Sequence, residues 1–332
     1  MSNAYEEERS VAFDAVQAAA QLTESVRDRM GEILEKDDQT PVTVADFGSQ
    51  ALICRALMEV FPQDPVIAEE DSSVLRNPDN IDVRNRVIEH VRDHYPNVQA
   101  EGIYTWIDHG TAREYSDRFW TLDPIDGTKG FVRGDQYAIA LALIVDGTPK
   151  VAALCCPYLP DSLDADHPET RGQAFLAVQG DGTVQRPLSG DAPPSPIHTS
   201  DTTDPAEGRF TESFVSAHSS RGLAAAAAER LGITADPVRI DSQAKYAIVA
   251  KGNAEIYLRL PRPGTDYTER IWDHAAGALA VTAAGGTVTD MYGRPLDFTH
   301  GPLLKENTGV VATNGPVHDD VVAALTGASE EA

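Results

Sequence analysis

Lysine is scarce in this chain of 332 residues. It stands only at positions 36, 129, 150, 245, 251 and 305, so most of the 27 basic charges are arginine. Against 52 acidic side chains the formal net charge is −25. A surface so short of positive charge excludes nucleic-acid polymers and anionic membranes as partners. It suits a high-salt interior, where ~1 M salt shortens the Debye length to about 3 Å and screens self-repulsion; an ordinary acidic cytosolic protein fits equally. Cysteine is also sparse. Cys54, Cys155 and Cys156 make no Cys-x-x-Cys pair, which excludes a disulfide framework and points to a reducing, cytoplasmic location. No apolar run approaches the ~18–20 residues of a membrane span. Met1–Ser10 is acidic and lacks the basic and apolar regions of a secretory signal.

What is present is a globular composition, 42% hydrophobic, long enough for one large domain or two intimate ones. Apolar positions at Val11, Phe13, Ala15, Val16, Ala19 and Leu22 predict a helix ending near Gly31. Thr40–Thr43 reads as extended. A second helix is expected from Val44 or Ala45 to about Val60, then a short buried strand, Pro65–Ala68. Residues 72–114 are mixed and polar, with one helix at Asp82–His94. Strands Tyr137–Val145 and Val151–Cys156 flank an Asp146-Gly147 turn, and Ala174–Val178 and Thr183–Arg186 flank a Gly180-Asp181-Gly182 turn. Residues 187–210 hold many turn formers and mark a boundary. Beyond it strands and helices alternate: strand at Phe214–Ser216, helix Gly222–Leu231, strand Val238–Ile240, helix Gln243–Lys251, strand Ala254–Leu260 and helix Trp272–Ala284. A hairpin around Met291–Pro295, a strand at Val310–Thr313 and a last helix from Val317 follow. The expected architecture is α+β in residues 1–190 and α/β in residues 191–332.

The most informative stretch is Thr121-Leu122-Asp123-Pro124-Ile125-Asp126-Gly127-Thr128-Lys129-Gly130. It follows Phe119-Trp120 and reads as a strand that stops at a tight turn. Two carboxylates three residues apart, with free carbonyls between them and a hydroxyl beside them, suit a hard cation; a solvated acidic turn is the plainer alternative. Neither a P-loop nor a G-x-G-x-x-G run is present here. Other carboxylates stand at comparable places. Glu69-Glu70 follows a strand, Asp46 starts the second helix and Asp273 opens a later one. Asp46 and Asp273 could equally be first-turn acids facing a helix dipole, and Glu69-Glu70-Asp71 a solvated turn.

Asp123-Pro124-Ile125-Asp126-Gly127-Thr128, taken with Ala68-Glu69-Glu70 before it and Trp272-Asp273-His274-Ala275-Ala276-Gly277 after it, resembles the three signature blocks of the lithium-sensitive, magnesium-dependent phosphatases related to inositol monophosphatase. Pro41–Asp46, His218-Ser219-Ser220, Asp241–Tyr246, Tyr257–Pro261 and the run Lys129–Gly134 are similar to one branch, the 3′(2′),5′-bisphosphate nucleotidases. The resemblance covers about residues 10–325. Ala68 departs from the usual Gly, and 74–118 and Pro261–Arg270 differ from the pattern.

The resemblance implies a layered αβαβα sandwich. It implies two or three Mg²⁺ held by Glu69, Asp123, Asp126, Asp273 and the Ile125 carbonyl, with Asp46 and Thr128 orienting and deprotonating the attacking water. It places Thr128, His218, Ser242, Lys245, Arg259 and Asp273 against the substrate; by itself His218 would read as a structural histidine. The implied activity removes the 3′-phosphate of adenosine 3′,5′-bisphosphate and extends to 3′-phosphoadenosine 5′-phosphosulfate. The substrate is a small nucleotide and the protein is expected to be a monomer. The alternatives are an inositol phosphate or fructose bisphosphate phosphatase on the same fold, and an inactive metal-binding regulator. An Asp-x-Asp-Gly-Thr phosphatase with an aspartyl-phosphate intermediate is set aside, because two residues, not one, separate Asp123 and Asp126.

Overall fold

The computed structural model describes residues 4–30, 40–163, 171–190, 192–214, 221–261 and 267–330. The first seven strands form one sheet in chain order: β1 (Val66–Ala68), β2 (Arg118–Asp126), β3 (Ala138–Val145), β4 (Thr148–Pro160), β5 (Arg171–Val178), β6 (Gly182–Pro187) and β7 (Ser195–Ile197). β1 and β2 run parallel; the later neighbours are antiparallel. A second sheet holds β8 (Phe210–Glu212), β9 (Val238–Arg239), β10 (Ile256–Arg259), β11 (Thr287–Thr289) and β12 (Val310–Thr313), in the order β11-β12-β10-β8-β9. It is mixed, with β8, β9 and β10 parallel and β12 antiparallel to β10 and β11.

The helices are α1 (Glu6–Met30), α2 (Thr40–Val60), α3 (Ser73–Arg76), α4 (Ile81–His94), α5 (Ala100–Asp108), α6 (Thr128–Arg133), α7 (Arg221–Leu231), α8 (Ala244–Ala250), α9 (Ala275–Ala283) and α10 (His318–Glu330). The layering follows from side-chain alternation. Along β3, Ile139, Leu141 and Leu143 join the core under α1 and α2, whereas Ala138, Ala140, Ala142 and Ile144 join the core with α8 and α9. Both faces of this strand are covered, so its sequence is apolar throughout instead of alternating with polar residues. Cys155 and Cys156 point to opposite faces, and all three cysteines are free and buried. The small side chains of α9 let it sit between the sheets, and α7 and α10 cover the far face of the second sheet. The result is an αβαβα sandwich, as the sequence motifs imply.

Several elements depart from the local reading. Thr40–Thr43 is helical: α2 begins at Thr40 with Pro41 in its first turn, where its missing N–H costs nothing. α5 was hidden in the polar stretch 72–114. The strand expected at Phe214–Ser216 is β8 at Phe210–Glu212, and 215–220 lie outside the described residues. Met291–Pro295 forms a turn but no local hairpin, since β11 pairs with β12 across a long connection.

Candidate active site

The parallel register of β1 and β2 assembles the first part of the site. Ala68 lies opposite Leu122, so Glu69, the next residue, emerges level with Asp123. β2 does not stop ahead of a turn around Asp123 and Asp126, as the sequence alone implies. It continues to Asp126 with an irregularity between Asp123 and Asp126. Pro124 falls in this bulge, where the ladder needs no donor from it. Gly127 follows at φ +88°, and α6 starts at once with Thr128. The motif is therefore a bulged strand end feeding a short helix.

α2 supplies the floor. Asp46 lies in its second turn, beyond the reach of a dipole effect confined to the first turn. Three residues on, Ser49 donates its hydroxyl to the Pro124 carbonyl at 2.9 Å and fixes the bulge. Gln50 clamps the other acidic segment: its amide nitrogen donates to the Glu70 carbonyl at 2.6 Å and to the Ile107 carbonyl at 3.0 Å, and its oxygen accepts from Glu70 N–H at 3.0 Å.

The second half closes the site from across the cleft. Asp273 lies in a 3-10 turn, Ile271–Asp273, just ahead of α9 and so outside it. Gln243 N–H donates to Asp126, docking the start of α8 on the motif. Ser242 has φ +71°, an uncommon value for serine, and a Cβ on Gly127 would lie 2.8 Å from its Cβ. That approach requires glycine at 127.

These elements enclose a cavity of about 780 Å³. Glu69, Asp123, Ile125, Asp126, Thr128 and Asp273 line part of it. Ser242, Lys245 and Arg259 line it elsewhere, beside an apolar wall from α7. Asp46 lies beneath, only 8% exposed. Among the described residues it makes no hydrogen bond to Thr128, which is exposed on the rim. His218 falls outside the described residues.

The electrostatics single out the acidic side. Although Glu69 opens onto the cavity, desolvation in the cleft, Asp273 and Glu70 push its carboxyl up to about 8. Burial raises Asp123 well above the usual carboxylate range, with Glu69 and Asp126 adding to the effect. Burial, Glu70 and Glu69 do the same for Asp46, and burial raises Asp273 to about 6 despite Arg259. Crowded carboxylates that resist ionisation together call for a cation between them. Asp123 Oδ1 is buried with no hydrogen-bond partner among the described residues. Thr211 Oγ1 and Gln243 Oε1, also on the cavity wall, are unpartnered in the same sense. An all-oxygen donor set of this kind fits Mg²⁺.

The basic side is held equally firmly. Lys245 Nζ donates to the Ser242 carbonyl at 2.7 Å and to Ser213 Oγ at 2.9 Å, and burial pushes its ammonium down to about 8. Arg259 pairs with Glu269 and stands 3.6 Å from Asp273. Glu269 and His274 were not singled out from the sequence. They and Asp273 bring donor atoms within 4.8 Å of one another, but this group is a poor cation site. His274 Nε2 donates to Glu269 at 3.0 Å and its Nδ1 shares a hydrogen bond of 2.7 Å with Tyr246 Oη, so both ring nitrogens are engaged.

Residues 4–331 match the inositol monophosphatase family. The chain belongs to that family. Among its curated relatives in the family, a 3′(2′),5′-bisphosphate nucleotidase of Schizosaccharomyces pombe is 42% identical over 96% of this chain and 95% of the relative. One from Emericella nidulans is 43% identical over 97% and 98%. Similar solved structures include the inositol monophosphatase of Anabaena (Nostoc) sp. PCC 7120, with TM-score 0.60, 22% identity and coverage of 97% and 96%. Mycobacterium tuberculosis SuhB has TM-score 0.61, 22% identity and coverage of 98% of both chains. At that identity the structures establish the family fold. No helix among the described residues is long and apolar enough to cross a membrane.

Proposed function

We propose that this member of the inositol monophosphatase family removes the 3′-phosphate of adenosine 3′,5′-bisphosphate, giving AMP and phosphate, and also accepts 3′-phosphoadenosine 5′-phosphosulfate. The observation that carries this reading is the meeting, on the wall of one cavity, of a crowded carboxylate cluster with the buried Lys245 and the partly buried Arg259. Full-length relatives carrying the nucleotidase name support the substrate class.

Glu69, Asp123, Asp126, Asp273 and the Ile125 carbonyl would hold two or three Mg²⁺. Bound there, the ions would neutralise the dianionic ester, make a water easier to deprotonate and steady the leaving oxygen. The chain's own groups do the rest. Thr128, on the rim, orients the attacking water, and Asp46, kept largely from solvent, accepts its proton. Arg259 presents a planar fork and Lys245 a point charge to the nucleotide's phosphates. Ser242 and His218 complete the nucleotide contacts. In a protein of net charge −25, cations and these two side chains reverse the sign locally. The three free thiols fit action in a reducing cytoplasm.

Asp123→Asn tests the cluster. It relieves repulsion among the carboxylates, so the metal-free protein should melt no lower than wild type. Its turnover at saturating Mg²⁺ should fall at least about a hundredfold, ~3 kcal/mol of lost transition-state stabilisation. Near-wild-type turnover would remove Asp123 from the cation site.

A further inference from the structure

Arg259 and Asp273 are only 3.6 Å apart, yet the proposed function needs both free: the guanidinium for substrate phosphate, the carboxylate for a cation. Arg259 Nη2 and Asp273 Oδ2 already form a long ion pair at this distance, and two such partly buried charges would close further unless another partner held the guanidinium. Glu269 stands where it can prevent this. Arg259 Nε donates to Glu269 Oε1 at 3.2 Å, and Nη2 approaches Oε2 at 3.2 Å. This side-on fork uses one edge of the guanidinium and leaves the Nη1 edge turned away from Glu269.

Glu269 is itself immobilised. His274 Nε2 donates to its Oε2 at 3.0 Å, and the ring's Nδ1 shares a hydrogen bond of 2.7 Å with Tyr246 Oη. Both His274 and Tyr246 are fully buried. The Glu269 carbonyl accepts from Leu304 N–H at 2.9 Å, so the backbone is tied down as well. A chain of hydrogen bonds thus runs from the core between the sheets to the edge of the cavity.

We propose that Glu269, oriented by His274 and Tyr246, is a positioning residue: it keeps the Arg259–Asp273 contact from tightening, leaving the carboxylate for a cation and the guanidinium for the substrate. This rests on the functional reading above. It differs from a direct role for Glu269 as a cation ligand or as bulk negative charge, and the two can be separated.

The test compares wild type, Glu269→Gln, Arg259→Ala and the double variant. The first readout, independent of turnover, is the Mg²⁺ concentration giving half of the thermal stabilisation. In Glu269→Gln it should rise roughly tenfold, because Arg259 closes onto Asp273 and competes with the ion, a charge-assisted contact's worth. In the Arg259→Ala background the same substitution should change it less than about threefold. The second readout is KM for adenosine 3′,5′-bisphosphate, which should rise in Glu269→Gln and no further in the double variant. An Mg²⁺ defect that persists in the Arg259→Ala background would overturn the proposal, since Glu269 would then act on the ion directly. An unchanged Mg²⁺ response in Glu269→Gln would overturn it too. If Glu269→Gln fails to fold, Tyr246→Phe removes the far end of the chain without changing charge. It should give a smaller defect of the same sign, absent without Arg259; a Tyr246→Phe defect that survives in Arg259→Ala would overturn the proposal. Absence of turnover of adenosine bisphosphate by wild type would count against the functional reading, while the Mg²⁺ arm would still judge Glu269.

Discussion

Lys245 is 6% exposed, and burial lowers its ammonium to about 8. A group that must be charged to bind phosphate therefore loses its proton in an accessible range. The charged form prevails below about 8 and is lost as pH rises through that value. kcat/KM for adenosine bisphosphate should fall along this limb. kcat should not follow it, because bound phosphate favours the charged lysine and kcat reports the complex. Lys245→Ala should start lower and lack the limb; an unaltered limb in that variant would assign it to another group. Residues of this kind differ in how far the sequence betrays them. Asp123 and Asp126 announce themselves through their spacing around Pro124, and Glu69 through its place after a short strand. Glu269 and Gln50 do not. Gln50 acts on Glu70 and Ile107, and Glu269 on Arg259 and His274, and no local pattern encodes partners brought together by folding.

α6 carries Thr128 at the cavity rim and depends on one close approach. A Cβ on Gly130 would lie 2.2 Å from the Gln136 carbonyl oxygen, a backbone atom that cannot rotate away. Gly130→Ala should cost about 1–3 kcal/mol of stability as α6 is displaced, and lower kcat more than it raises KM, because Thr128 moves with the helix. Denaturant unfolding and steady-state kinetics on the same preparation check both. A stable variant with normal kcat would mean that α6 does not place a reacting group. At this scale the sequence is legible where local chemistry decides. The β3–β4 turn has Asp146 at φ +50° and Gly147 at φ +69°, as an Asp-Gly hairpin requires. The sequence is poorly legible where pairing is distant. The turn at Met291–Pro295 looks like a hairpin, but β11 finds its partner only at Val310–Thr313. α5 carries no start signal of its own, since its Gln99 cap makes no side-chain hydrogen bond.

The whole molecule carries 52 acidic and 27 basic side chains. Such an excess repels itself, and salt screens the repulsion. The melting temperature should rise from low to molar potassium chloride; a flat or falling curve would remove the high-salt reading and leave the site untouched. The layered sandwich is legible through the resemblance carried by the signature blocks, whereas the cavity's dimensions emerge only when the two sheets are brought together. Substrate choice is open to one direct measurement. Phosphate release from adenosine 3′,5′-bisphosphate, inositol 1-phosphate and fructose 1,6-bisphosphate should be compared side by side with Mg²⁺. If Lys245 and Arg259 each supply one charge-assisted contact to the nucleotide, kcat/KM should favour adenosine bisphosphate by roughly a hundredfold or more. Equal or faster release from inositol 1-phosphate would contradict the account.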